Sequence, residues 1–303
     1  MTGSPIAHEL EELTYSAEDS PRSVLHHALR AICLPALLLR HRGLVRHFVT
    51  RELRGRFHDS LLGPLWVLIH PLFLFAVYFV IFGVVMGRFG EGEDPLQFAL
   101  YLFSGVVCFH AIVQSTSAAM HAISGNGNIV KKVKFPCEVL PLVPVFVETI
   151  VFLVGFGVAL VVGLATGRAQ LGWSLLAMPW FLLALLMFAA GVGMLLANLD
   201  VFIRDVRHVY GIFTTVWFFL SPCFWWPNFV EQKAAWAATL MTWNPIYHLL
   251  VAERHVLGLA PAELGFAPSV VQDLLIATAW GVGMLVLGYG TFMANKHKYA
   301  DLV

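Results

Sequence analysis

The chain has 303 residues, of which 58% are apolar and 13% are charged, and its mean hydropathy is +0.75. Ordinary soluble proteins carry about 25% charged residues, and a water-soluble domain could not bury this much apolar surface. The composition therefore excludes a soluble enzyme, a disordered chain and a nucleic-acid-binding protein. Basic and acidic side chains balance at 19 each, so the positions of the charges are more informative than their sum.

Residues 1–39 form a largely polar segment with five acidic side chains near its beginning. No apolar signal peptide starts within its polar first 28 residues, so we expect residues 1–39 to be a cytoplasmic extension. The four cysteines of the chain form no CxxC pair, which argues against a disulfide framework or a zinc site.

Residues 40–60 are predicted to contain an amphipathic helix that lies at the membrane interface, with one apolar and one basic face. Glu52 and Arg56 interrupt the apolar face, and their spacing of four residues favours a salt bridge between them. The alternative is a basic stretch that only sets the topology. The residues assigned to the interface helix are Phe48, Arg51, Leu53, Arg54 and Arg56.

Residues 61–294 contain six stretches of the length needed to cross the roughly 30 Å hydrocarbon core, which takes about 20 mostly apolar residues. Backbone groups in lipid must be hydrogen-bonded internally, so these stretches are predicted to be helices and the fold to be an all-α membrane protein. The fifth stretch is the shortest. The six predicted spans are 61–86, 98–120, 139–165, 173–197, 209–226 and 270–294.

The basic residues give these spans an orientation. With the beginning of the chain inside, cytoplasmic segments hold 15 Lys and Arg residues and outer segments hold 4. Both termini, including a short tail at 295–303, are therefore expected in the cytoplasm.

The first cytoplasmic loop predicts a short basic helix between Gly127 and Pro136, with Asn126 or Asn128 as its cap. Three lysines in an inner loop need no function beyond orientation, which is the alternative. The residues assigned to coupling with an ATPase are Asn126, Asn128, Lys131, Lys132 and Lys134.

Residues 227–269, between the last two spans, are too apolar for a solvated loop and too short and charged for another span. Glu253 and Arg254 are among the charges that resist burial in lipid. We expect re-entrant or interface helices on the outer side, broken at Asn244-Pro245.

Glu148 is a carboxylate inside the third span and must face the protein interior, because an exposed charge at that depth is costly. It is either a lining or gating group or a partner that locks two helices. No GxxxxGK[ST], HExxH or GxSxG motif occurs, so the chain has no nucleotide site of its own. One intramembrane carboxylate is too few for a membrane-embedded transferase or an ion-coupled transporter.

Five segments together resemble the permease subunit of bacterial ABC exporters for O-antigen, capsule and wall teichoic acid. They are RELRGRFHDSLLGPLW with HPL (51–66 and 70–72), NIVKKVKFP with LP (128–136 and 140–141), NLDVFIRDVRH with WFFLSP (198–208 and 217–222), NP (244–245) and YADLV (299–303). The resemblance implies a homodimer in the bacterial inner membrane, two copies of a separate ATPase that uses ATP and Mg²⁺, and no cofactor on this chain. It also implies a glycan path at the dimer interface, lined by the first and fifth spans.

Aromatic residues on those two spans predict the surface of that path, because ring faces stack on sugars while making few fixed hydrogen bonds. The alternative is that they pack the core. The residues assigned to the path are Trp66, His70, Phe73, Tyr78, Phe82, Tyr210, Phe213 and Trp217. The expected function is export of a lipid-linked glycan; a permease for a drug or lipid is the close alternative, and a membrane-embedded transferase the distant one.

Overall fold

The computed structural model describes residues 30–56, 61–85, 94–132, 136–169, 172–259 and 269–303, and the regular structure within these ranges is helical. This agrees with the predicted all-α class. Most of the predicted extension at 1–39 lies outside the described residues, but its last part is helical, with a 3-10 turn at Arg30–Cys33 followed by α1 at Leu34–Arg40.

Helix α2, at Arg42–Gly55, is the predicted interface helix. Its apolar face does not lie wholly on lipid, since α2 packs against the third span and Phe48 is buried in a cluster with Leu34 and Val143. Arg51 and Arg54 are exposed, and the Arg51 guanidinium lies 4.7 Å from the centre of the Phe48 ring. The helix is thus attached to the bundle by its apolar side.

Four of the six predicted spans are long and apolar enough to cross a membrane in the described part of the chain. They are built on α4 (Pro95–Met120), α6 (Val139–Ala165), α7 (Met178–Phe202) and α12 (Val270–Asn295). The first predicted span is the helix α3 (Trp66–Tyr78), which contains Pro71 and continues as a π-helical segment over Phe79–Val85.

The fifth predicted span is shorter than expected. Its helix, α8 (Val206–Phe219), has 14 residues and is about 21 Å long. Residues 220–226 form turns rather than the outer part of a helix, so the predicted boundary at 226 was wrong. The hydropathy of this turn misled the prediction, because several of its apolar side chains, namely Cys223, Phe224 and Trp226, are buried in the protein.

Helices α7 and α12 form the most extensive helix pair among the described residues. Gly191 and Gly288 permit this contact, because a Cβ on either would overlap the backbone of the facing helix. Helix α4 packs on α6 and α7 and is buried along most of its length, so it forms the centre of the core.

The segment between the last two spans folds into three short helices, α9 (Pro227–Lys233), α10 (Ala235–Trp243) and α11 (Pro245–Leu257). The predicted break at Asn244 is present, and its side chain caps α11 by accepting a hydrogen bond from the Ile246 backbone N–H. Helix α11 is almost entirely buried against α4, α7 and α12. This placement inside the protein fits a re-entrant helix better than one on the membrane surface.

At the opposite end of the bundle, the first loop contains a 3-10 turn, Ser124–Asn126, and the six-residue helix α5, Gly127–Lys132. Of the two asparagines predicted as possible caps, Asn126 precedes α5, and its side-chain amide donates to the Ala122 carbonyl 2.9 Å away, which closes the preceding turn. Lys134 lies outside the described residues. After α12, a turn at Lys296–Lys298 leads into the last helix, α13, at Tyr299–Leu302.

Candidate functional site

An ion pair joins the interface helix end to the interior of the third span. Arg56 Nη1 lies 2.6 Å from Glu148 Oε1, and the Glu148 side chain is nearly fully buried. Sequence spacing predicted that Arg56 would pair with Glu52, and this was wrong. Arg56 pairs with the more distant Glu148 because a buried carboxylate without a cation is strongly destabilising.

The same ion pair lies in a groove of about 240 Å³ between α3, α4 and α6. Two of the predicted path residues, Trp66 and His70, line this groove together with His110 and Gln114. The two imidazole rings meet edge to face with centroids 6.0 Å apart. The groove thus presents a cation, a carboxylate, two imidazoles and the amide of Gln114 in a wall that is otherwise largely apolar, and Glu148 both pairs with Arg56 and lines the cavity.

Along α3, the predicted path residues divide between two surroundings. Phe73 is 66% exposed and Trp66 is 45% exposed, so both rings face out of the protomer. Tyr78 instead stacks on Phe218, with ring centroids 5.1 Å apart. The side chain of Phe82 lies outside the described part of the structure.

The three predicted path residues on α8 lie together beside a groove of about 450 Å³ that α7 and α10 complete. The Tyr210 hydroxyl lies 2.5 Å from Thr116 Oγ1, and Trp217 Nε1 donates to Asn244 Oδ1 at 2.8 Å. Both side chains therefore have hydrogen-bonded positions in the core. Phe213 packs on Trp217 at 4.8 Å between centroids but is 48% exposed.

Much of the outer surface of α3 and α8 is apolar. The exposed large side chains on α3, on the 3-10 turn before it and the π-helical segment after it, and on α8 include Leu65, Val77, Val80, Ile81, Val84, Val85, Val209, Ile212, Val216 and Phe219. Together with Phe73 and Phe213, these side chains form an exposed apolar surface on the two spans that the sequence assigned to the glycan path. Such a surface must be covered by lipid or by another protein chain.

At the end of the bundle that carries the first loop, a polar network joins two loops that sequence reasoning left without a structural role. Arg207 forms a two-point ion pair with the buried Asp200 and also donates to Ser124 Oγ at 3.1 Å. Ser124 in turn donates to Asp200 at 2.7 Å. Asp200 and Arg207 lie on either side of the break between α7 and α8. Their positions next to this break are the signal in the sequence that could have identified the pair.

A second buried cluster holds α11 against α4 and was also missed; α9, α10 and α11 are called here the outer helices after their position predicted from the sequence. The guanidinium of Arg254, which has no exposure, lies 3.5 Å from the centre of the Tyr101 ring and donates to the backbone carbonyls of Tyr101 and Cys223. Gly105 leaves room for it, since a Cβ there would lie 2.5 Å from Arg254 Nη2. From the sequence we expected the charge of Arg254 to resist burial in lipid. In the structure this charge is enclosed by protein, so it does not meet lipid.

The outer helices are also tied to α12 through His248, whose two ring nitrogens lie 3.0 Å from Asp273 Oδ1 and from the Thr242 carbonyl. In the described ranges, no group of three or more His, Cys, Asp or Glu side chains has the arrangement of a metal site. These polar clusters connect helices.

Comparison with known proteins gives the family. The chain is 29% identical to the O-antigen export system permease protein RfbA of Myxococcus xanthus over 88% of this chain and 97% of that protein. It is 24% identical to an RfbA protein of Klebsiella pneumoniae over 82% of this chain and 90% of that protein. It is also 24% identical to the polysialic acid transport protein KpsM of Escherichia coli over 67% and 77% of the two chains. Residues 44–257, from within α2 to the end of α11, match the family model of the ABC-2 type transporter, and the chain therefore belongs to that family of multi-pass membrane transporters that work with an ABC ATPase.

Proposed function

We propose that this chain is the permease subunit of an ABC exporter that moves a lipid-linked polysaccharide from the cytoplasm across the bacterial inner membrane. The observation that carries this proposal is the alignment with an O-antigen export permease over nearly the whole length of both chains. The resemblance in the loop and span motifs supports the same function independently of the fold. A drug or lipid permease would share the fold, but the named relatives are polysaccharide transporters.

The functional unit we propose is a homodimer in which α3 and α8 of the two copies meet. Both helices are short and largely apolar, and each exposes an aromatic ring, Phe73 on α3 and Phe213 on α8. A second copy of the same surface would cover them and enclose a path with few charges. Trp66, His70 and Phe213 would then lie at its wall, while Tyr210 and Trp217 support that wall from behind.

On the cytoplasmic side, we propose that two ABC ATPase subunits bind, one to each α5. Asn128 and Lys131 are exposed on this helix, where a partner can reach them. The distribution of basic residues supports the orientation with both termini in the cytoplasm.

The test is reconstitution of the chain with its candidate ATPase in vesicles that contain the lipid-linked glycan. We expect ATP-dependent transfer of the glycan to the opposite leaflet, and no ATP hydrolysis by the permease alone. Transport of a phospholipid or drug with no glycan movement would favour the alternative permease function. Disulfide formation between Phe73→Cys and Phe213→Cys chains, mixed from separately tagged copies, tests the dimer, with Trp173→Cys, exposed away from α3 and α8, as the control.

A further inference from the structure

The segment Tyr299–Val303 folds back under the helix bundle. Tyr299 is completely buried, its hydroxyl donates to Asn198 Oδ1 and to the Phe292 carbonyl at 3.0 Å each, and its ring packs on Phe292. These contacts fix the segment to α7 and α12, so its last residue has a defined position.

That position is against α5. A Cβ built on Gly127 would lie 2.5 Å from Val303 Cγ1, so the absence of a side chain at Gly127 lets the two segments meet. Val303 belongs to the same apolar cluster as Ile129 and Val130 on α5. The segment 299–303 therefore covers one side of α5.

Helix α5 needs such support because a six-residue helix is not stable in isolation. Its beginning follows the turn at Ser124, which the Asp200–Arg207 pair holds. Its first residue, Gly127, rests on Val303, which packs against the same apolar cluster as Ile129 and Val130. The exposed side chains of Asn128 and Lys131 lie on the part left uncovered. Two attachments thus determine where the exposed side of α5 points.

We infer that Tyr299–Val303 is a positioning element that sets the geometry in which α5 engages the ATPase, so that its loss uncouples ATP hydrolysis from export. This inference rests on the proposed function, in which α5 is the ATPase-binding element. Val303 acts through α5 and touches neither nucleotide nor glycan.

The experiment uses the reconstituted exporter, full chain plus ATPase, and measures glycan molecules exported per ATP hydrolysed. We expect Val303→Ala and Gly127→Ala each to lower this ratio at least about twofold, the scale typical of side chains that modulate coupling between sites. The double variant Gly127→Ala/Val303→Ala removes the clash and is expected to recover part of the ratio lost in Gly127→Ala. Leu302→Ala, an exposed neighbour, is the matched control and should export as the parent protein does.

Two further measurements make the result decisive. Thermal unfolding of the permease alone should change little in Val303→Ala, because the bundle does not depend on this contact. An unchanged export ratio in Val303→Ala, or no recovery in the double variant, would overturn the inference. A charge reversal at Lys131 and Lys132 tests the proposed function separately: if it leaves ATPase binding and export intact, α5 is not the binding element, whatever Val303 does.

Discussion

Helices α11 and α8 are nearly equal in length, yet their surroundings are opposite to what their composition suggests. Helix α11 carries Glu253 and Arg254 and is almost completely buried, whereas the apolar α8 exposes Ile212, Phe213 and Val216. In a membrane, apolar surface can remain outside at little cost, but a charge must be enclosed and hydrogen-bonded. The burial of α11 therefore encloses its charged residues in protein, and the exposed apolar surface of α8 is available to a partner.

The largest effect expected from this comparison is at Arg254. Replacing it by Leu removes two hydrogen bonds to backbone carbonyls and the cation nearest the buried Glu253, and should cost about 3–5 kcal/mol of folding free energy. Thermal unfolding in detergent measures the loss, with the exposed Arg204→Leu as a control. If Arg254→Leu melts with the parent protein, the buried cluster does not hold the outer helices.

The next contrast lies within α8 itself. Trp217→Ala should lower the stability of the chain by about 3–5 kcal/mol, since it removes a buried ring and one of the two hydrogen bonds that Asn244 Oδ1 accepts. Phe213→Ala should leave protomer stability nearly unchanged but weaken copy-to-copy crosslinking and slow export. Equal losses of stability in the two variants would show that Phe213 is as much a core residue as Trp217.

A smaller effect is expected at the ion pair of α2 and α6, because Arg56 is partly exposed. Arg56→Gln should destabilise by about 1–3 kcal/mol by leaving the Glu148 carboxylate unpaired. The double variant Arg56→Gln/Glu148→Gln should recover much of that loss. Additive losses in the two single variants and the double variant would mean that the two side chains are not coupled.

The smallest expected effect is a difference in thiol reactivity between Cys33 and Cys137. Burial raises the pKa of the Cys137 thiol to about 12, only partly offset by Lys296, whereas Cys33 is exposed. Since the thiolate is the reactive form, Cys33 should react with a maleimide near pH 8 while Cys137 stays protonated and unmodified. A membrane-impermeant reagent should reach Cys33 only from the cytoplasmic face. Modification from the outer face would reverse the proposed orientation.

The long apolar helices could be predicted closely from the sequence. The third span was expected at 139–165 and α6 has the same limits, because a hydrophobic stretch of that length admits only one solution in a bilayer. The end of α8 was misplaced because apolar side chains in a buried turn have the same hydropathy as those in a span. Family membership was also accessible, through five short segments in a fixed order.

The pairing of charged groups was not accessible from the sequence. Arg56 has an acidic residue four positions away, but its observed partner is 92 positions away, and spacing arguments reveal only local partners. Arg254 meets Tyr101 through the packing of α11 on α4, which no periodicity in either segment encodes. Tertiary contacts decide these sites, and one sequence contains no direct record of them.

The close glycine contact between α7 and α12 has a mechanical consequence. Where Gly191 and Gly288 meet, no side chain separates the two backbones, so we expect little freedom for the two helices to shift against each other at that point. The end of this pair near the first loop holds Asp200 and Asn198, and the opposite end holds Asp273 against His248. We therefore expect relative movement within the described part of the chain to occur in the less extensively packed elements, such as α3 and α8.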